Sequence, residues 1–111
     1  MSFSVKKDPK GVMIIGVDGQ LIVGNRRELK QKITEALETG DRKFLIDFTN
    51  TGYIDSSGLG VLVSLSRTIR EAEGELRLAG LNEDLRTLFE LTKLDSLFNI
   101  ADSAATALAG F

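Results

Sequence analysis

The chain contains neither cysteine nor histidine. It therefore has no disulfide and no thiol nucleophile, and it lacks the commonest general base and metal ligand of proteins. No segment has the apolar core of a signal peptide or the length of a membrane span. Fourteen basic residues against sixteen acidic ones give a net charge of −2, with no concentration of lysine or arginine. The sequence thus predicts a cytoplasmic protein that binds neither nucleic acid nor membrane.

The rest of the composition is typical of a folded protein, with 42% hydrophobic and 27% charged residues. The length fits one domain over residues 1–111. Apolar runs alternate with helical patterns, which predicts an α/β fold. We expect a mixed sheet of four to five strands, parallel with an antiparallel N-terminal edge, flanked by about four helices. The edge strands are residues 3–5 and 12–17, and Asn25 with Glu28 resembles a capping box at the first helix.

Residues 44–72 have the most informative pattern. An apolar run at 44–48 is typical of a buried strand, and residues 49–52 indicate a loop. Helical spacing starts at Leu59. The residues expected on one face of this helix are Leu59, Leu62, Val63, Leu65 or Ser66, and Ile69. Between the loop and the helix lies Asp55-Ser56-Ser57-Gly58. We expect Ser56 or Ser57 to cap the helix, with Asp55 fixing the turn or capping instead. The free amides and the helix dipole also favour a phosphate at this point.

The residue types argue against three chemical interpretations of this stretch. A nucleophile elbow needs glycine two positions before the serine, where Ile54 or Asp55 stands, and no histidine is present to take the proton. Gly58-x-Gly60 lacks the third glycine of a dinucleotide site, because Val63 occupies that position. Asp47 and Asp55 lack the acidic cluster that a Mg²⁺-dependent phosphoacceptor requires. We therefore predict no enzyme activity, no metal site and no cofactor.

Residues 53–62, Tyr-Ile-Asp-Ser-Ser-Gly-Leu-Gly-Val-Leu, resemble the signature of the STAS domain, and more narrowly that of the bacterial anti-sigma factor antagonists. The resemblance runs from residue 12 to 108 and includes residues 91–98. It implies a partner-switching cycle. The unphosphorylated protein binds an anti-sigma factor that is also a serine kinase, and thereby releases the sigma factor. Phosphorylation by that kinase switches the antagonist off, and a metal-dependent serine phosphatase restores it.

The same resemblance implies that Ser56 is the phosphorylated residue, with Ser57 as second choice. It also implies a switch loop and partner surface formed by Gly24, Asn25, Asp55, Ser57, Gly58, Leu59 and Gly60. The chain departs from the family at Ile22, where an acid is usual, and we expect Ile22 and Val23 to extend an exposed apolar contact surface. An antagonist should be a monomer or weak dimer. The alternatives are a scaffold subunit of a STAS-based sensory complex and a nucleotide- or lipid-sensing STAS module.

Overall fold

The computed structural model describes residues 2–111. Its strands are β1 (Phe3–Lys7), β2 (Met13–Val17), β3 (Gly19–Leu21), β4 (Lys43–Asp47), β5 (Thr51–Ile54), β6 (Glu75–Ala79) and β7 (Asn99–Ala101). Its helices are α1 (Arg26–Glu38), α2 (Ser56–Glu71), α3 (Glu83–Leu91) and α4 (Ala104–Ala109), with a short 3₁₀ turn at Leu94–Ser96. No helix in residues 2–111 combines the length and the hydropathy needed to cross a bilayer.

The main sheet has five strands in the order β1-β2-β4-β6-β7. β1 pairs antiparallel with β2, and every other neighbouring pair is parallel. The short turn between β1 and β2 favours an antiparallel hairpin, whereas a helix between successive strands returns the chain for parallel pairing. The predicted fold class, a mixed sheet with an antiparallel N-terminal edge and four helices, is confirmed.

The two faces of the sheet are covered unequally. Alternate residues of a strand point to opposite faces, and in β4 Phe44 and Ile46 belong to the large core beneath α1, α2 and α3. Leu45 belongs to a second, smaller core beneath α4. Since α4 has only six residues, the large core and the long helices lie together on the first face. That face positions the site described below.

A second, two-stranded sheet was not predicted. β3 and β5 pair in parallel, with Leu21 opposite Ile54. The predicted loop at 49–52 is therefore wrong for its second half, where β5 begins at Thr51. These strands form by pairing with each other across about thirty residues of chain, an interaction that local patterns do not encode. The pairing brings the chain after β2 against the start of α2.

The buried face of α2 differs in part from the predicted one. Its buried residues are Gly58, Val61, Leu62, Leu65 and Ile69. Leu59 and Val63 were expected to face the core and are only half-buried. α2 packs against α1 as well as against the sheet, so spacing alone does not identify the centre of its buried stripe.

Candidate functional site

Asp55 holds the start of α2. Its backbone is extended, and its Oδ1 accepts a hydrogen bond from Gly58 N at 2.7 Å. This is an N-cap, which satisfies one of the amides that the first helical turn leaves free. The expectation that Ser56 or Ser57 is the cap is therefore wrong, and the alternative that Asp55 caps the helix is confirmed. The reason is that β5 ends at Ile54, so Asp55 is the single residue between strand and helix.

Ser56 is the first residue of α2, and its side chain is exposed, whereas Ser57 is half-buried. Because Asp55 supplies the capping oxygen, neither hydroxyl is required for that bond. The start of a helix carries partial positive charge from its aligned peptide dipoles. The Ser56 hydroxyl is thus an accessible oxygen at the start of a helix, beside the capping Asp55 carboxylate.

Two further contacts attach the start of α2 to the chain around β3. Asp55 Oδ2 accepts a hydrogen bond from Val23 N at 3.1 Å, and Asp55 N donates to Leu21 O at 3.1 Å. Gly58 packs directly on the same strand, since a Cβ built at this position would lie 2.4 Å from Leu21 O and 2.8 Å from Ile54 Cγ2. The contact requires glycine because no other residue lets helix and strand approach so closely.

The loop after β3 is fixed by Asn25. Its Oδ1 accepts a hydrogen bond from Ile22 N and its Nδ2 donates to Gln20 O, both at 2.8 Å. The side chain of Asn25 makes no capping bond to α1, so the predicted capping box is wrong. The side-chain amide closes a turn instead, which is an equally common use of asparagine. Gly24 lies in this loop, beside the residue whose amide binds Asp55.

Three large apolar side chains are exposed: one in the loop after β3, one on β5 and one on α3. Val23 is 62% exposed, Tyr53 57% and Leu91 79%. Val23 follows the half-buried Ile22, so the expected apolar surface of this loop rests on Val23. Tyr53 and Leu91 were not among the predicted site residues. Period-2 alternation identifies which strand residues share a face but not which face is left uncovered, so this pattern could not predict that Tyr53 is exposed.

A groove lies on each side of α2. The first, between α2 and α3, encloses about 510 Å³. It is lined by Gly52, Tyr53, Ile54, Asp55, Ser56, Leu59, Asp84, Leu85, Leu88 and Thr92. The second, between α2 and α1, encloses about 260 Å³ and is lined by Arg26, Arg27, Lys30, Gly60, Val61 and Ser64. Leu59 and Gly60 therefore border different grooves, and Ser56 lies on the rim of the first.

The acidic residues near the strand ends form no metal site. Asp47 Oδ1 accepts hydrogen bonds from Thr49 N at 3.0 Å and Thr49 Oγ1 at 2.6 Å, which closes the turn after β4. Both carboxylate oxygens of Asp55 are also engaged with backbone amides. Within residues 2–111, no group of three or more acidic side chains is arranged to hold a metal ion.

The sequence and the fold both have known counterparts. The STAS domain family matches residues 4–107. Bordetella bronchiseptica BtrV, named as an anti-sigma factor antagonist, is 30% identical over 101 residues, which cover 91% of this chain and 87% of that protein. The crystal structure of a Thermotoga maritima protein described in the same way superposes with a TM-score of 0.89 at 27% identity, covering 97% of this chain and 92% of that one.

The fold is also that of the Bacillus protein SpoIIAA, an anti-sigma factor antagonist whose structure is known in unphosphorylated and phosphorylated forms. The phosphorylated form superposes with a TM-score of 0.76 at 19% identity, covering 96% of each chain. A sequence identity of 19% establishes only a shared fold. Membership of the family rests on the match to the STAS domain family and on the similarity to BtrV. The chain belongs to the STAS domain family of bacterial anti-sigma factor antagonists.

Proposed function

We propose that this protein is an anti-sigma factor antagonist whose binding is switched off by phosphorylation of Ser56. In the unphosphorylated state it binds an anti-sigma factor that is also a serine kinase, and the sigma factor is released. The observation that carries the proposal is the exposed Ser56 hydroxyl at the head of α2, beside a capping Asp55 that leaves it free. Ser57 stays the second choice because it is half-buried.

A phosphoryl group at Ser56 changes the surface without requiring a change of fold. It adds about −1.5 to −2 charge and three acceptor oxygens at the start of α2, where first-turn amides are available to it. The neighbouring Asp55 carboxylate already carries negative charge at that point. A partner that covers Ser56 in a dry contact would have to desolvate this combined charge, which is unfavourable without a matching cation. Phosphorylation therefore blocks binding.

The apolar groove between α2 and α3 extends the proposed contact. Tyr53, Leu59 and Leu88 line it, and Ser56 lies at its rim. A protein that docks over Ser56 buries these side chains, and such central apolar residues contribute most of the free energy of a protein interface. Val23, on the other side of Asp55, adds exposed apolar surface through the loop that contains Gly24 and Asn25.

In this proposal the chain is a substrate and ligand, in keeping with a family of regulators that are not enzymes. The kinase supplies ATP and Mg²⁺, and a metal-dependent serine phosphatase returns the antagonist to its binding form. The chain acts as a monomer or weak dimer, so that α2 and its two grooves are available to the partner. Elution of a stable large oligomer from a size-exclusion column would favour a scaffold subunit instead.

The first test is the intact mass of the protein after incubation with Mg-ATP and a lysate of the source organism. We expect one added phosphoryl group on the wild type and on Ser57→Ala, and none on Ser56→Ala. Transfer that persists in Ser56→Ala and disappears in Ser57→Ala would move the switch to Ser57. No transfer to any variant, with a control substrate phosphorylated in the same lysate, would contradict the proposal.

The second test uses the kinase purified through that activity. Ser56→Ala should bind it within about twofold of the wild type, because only a hydroxyl is removed, and Ser56→Asp should bind about tenfold more weakly, equivalent to about 1.4 kcal/mol. Titration calorimetry gives both affinities. Equal affinities for the two variants would show that negative charge at Ser56 does not control binding.

A further inference from the structure

A cluster of positive charge lies beside the site on α1. Arg26, Arg27 and Lys30 line the groove of about 260 Å³ between α1 and α2, which we call the basic groove. All three side chains are exposed. Within residues 2–111 the ion pairs involve other cations, namely Lys7, Lys32, Arg77 and Arg86. Glu28, the acid in the first turn of α1, is placed toward Lys32 at 3.8 Å, and none of these ion pairs includes a cation of the basic groove.

The opposite wall of the basic groove is open at Gly60. A Cβ built at Gly60 would meet nothing within 4 Å, so no packing contact requires glycine here. Glycine inside a helix is unfavourable relative to alanine. Its effect at this position is to leave the α2 backbone accessible beside Arg26, Arg27 and Lys30. The basic groove therefore has room for an extended segment as well as charge to attract it.

The basic groove is continuous with the proposed contact around Ser56. Gly60 lies four residues after Ser56, about one helical turn or ~6 Å along α2. The groove between α2 and α3 lies on the other flank of the same helix. A protein that covers Ser56 thus meets apolar side chains on the α3 side of α2 and the cations of the basic groove on the α1 side.

We infer that the basic groove binds an acidic segment of the partner protein that docks over Ser56. This inference rests on the proposed function and adds the chemistry of the partner surface to it. Charge complementarity identifies the segment as acidic, since three unpaired cations face it. A protein fits better than a nucleic acid, because three cations on a chain of net charge −2 are few for a phosphate backbone.

The kinase-independent test is an NMR titration of the ¹⁵N-labelled protein with a hexaglutamate peptide at low salt. We expect the largest amide shifts at residues 26–30 and 60–64, and their loss as added salt shortens the Debye length to about 10 Å at 0.1 M. Hexalysine and inorganic phosphate serve as control ligands. Shifts spread over all lysine-bearing segments, no shifts, or equal shifts with phosphate would overturn the inference.

The matched variants are Lys30→Glu and Lys6→Glu, which change the net charge equally. Lys6 is exposed on β1 and lies opposite Ile14, on the sheet face away from α1. We expect Lys30→Glu to weaken hexaglutamate binding about three- to tenfold and Lys6→Glu to leave it nearly unchanged. Equal weakening by both variants would mean that net charge alone, and no particular groove, attracts the peptide.

A final experiment distinguishes failure of this inference from failure of the proposed function. With the purified kinase, Lys30→Glu should reduce the association rate and its salt dependence, while Ser56 remains phosphorylated to completion at high kinase concentration. Normal affinity and rate for Lys30→Glu, with Ser56 phosphorylated as usual, would overturn the inference and leave the switch intact. Failure of phosphorylation in the wild type would refute the proposed function, and the peptide titration would still decide on the basic groove.

Discussion

Replacement of Gly58 by alanine tests the packing that positions Ser56. The added Cβ would lie 2.4 Å from Leu21 O, 2.8 Å from Ile54 Cγ2 and 3.1 Å from Leu21 C. Carbon–oxygen contacts in proteins ordinarily begin at ~3.3 Å, so helix and strand must separate by about 1 Å. Because Leu21 O also accepts the hydrogen bond from Asp55 N, this movement disturbs the N-cap together with the strand contact.

The magnitude follows from comparison with a second glycine of the same helix. Overpacking of this kind costs about 1–3 kcal/mol, and a rigid backbone oxygen as the contacted atom places Gly58→Ala toward the upper end. Alanine recovers about 0.5–1 kcal/mol of helix propensity over glycine, which reduces the net loss. Gly60→Ala brings the same gain with no contact within 4 Å, so it should stabilise the protein. The difference in free energy of unfolding between the two variants measures the cost of the contact that a Cβ at position 58 makes with β3.

Urea unfolding followed by far-ultraviolet circular dichroism measures both free energies of unfolding. Heat denaturation provides a second reading, since 1 kcal/mol shifts Tm by about 4–8 °C in a domain near this size. We expect Gly58→Ala below the wild type and Gly60→Ala above it. If Gly58→Ala were as stable as Gly60→Ala, the close approach of α2 to β3 would not be a constraint on the site, and the reasoning would be refuted.

Two further substitutions test the hydrogen bonds around the site by the same unfolding assay. Asp55→Ala removes both hydrogen bonds from backbone amides to the carboxylate and should lower the free energy of unfolding by about 1–2 kcal/mol. Asp55→Asn keeps a capping oxygen and should lower it less. Equal losses for the two variants would argue against the N-cap as the main contribution of Asp55 to stability. Thr51→Val removes the buried bond of 2.6 Å from Thr51 Oγ1 to Val17 O and should cost about 1–2 kcal/mol, with Thr51→Ser as the control that keeps the hydroxyl. A Thr51→Val protein as stable as the wild type would contradict this account.

The main sheet and the helices were predictable because their apolar residues follow the spacing of a buried strand or of a helix with one buried face. Residues 44–46 of the apolar run lie in β4 and are buried on both faces of the sheet, and α1 buries Leu29, Ile33 and Ala36 at helical spacing. These signals are local and long enough to be distinct. The position of the site between a buried strand and a helix could therefore be predicted from the sequence before any contact was known.

The details of the site could not be predicted in the same way. Asp55, Ser56 and Ser57 are all good N-cap residues, so propensity does not choose among them. The choice depends on where β5 ends, and β5 ends where its pairing with β3 ends. Likewise, the exposure of Tyr53 and the grouping of three cations opposite Gly60 depend on how α1, α2 and α3 pack together. Each of these features is set by contacts between distant parts of the chain.

The assignment of the cap to Asp55 matters for how such a switch works. If Ser56 were the N-cap, a phosphoryl group on its oxygen would replace a structural hydrogen bond, and modification would change helix stability by about 1 kcal/mol. Because Asp55 Oδ1 and Oδ2 hold Gly58 N and Val23 N, the geometry of helix, loop and strand is fixed without Ser56. Modification can then act on the surface alone. Under the proposed function, the charge at residue 56 is what a partner reads, while the fold that presents it stays the same in both states.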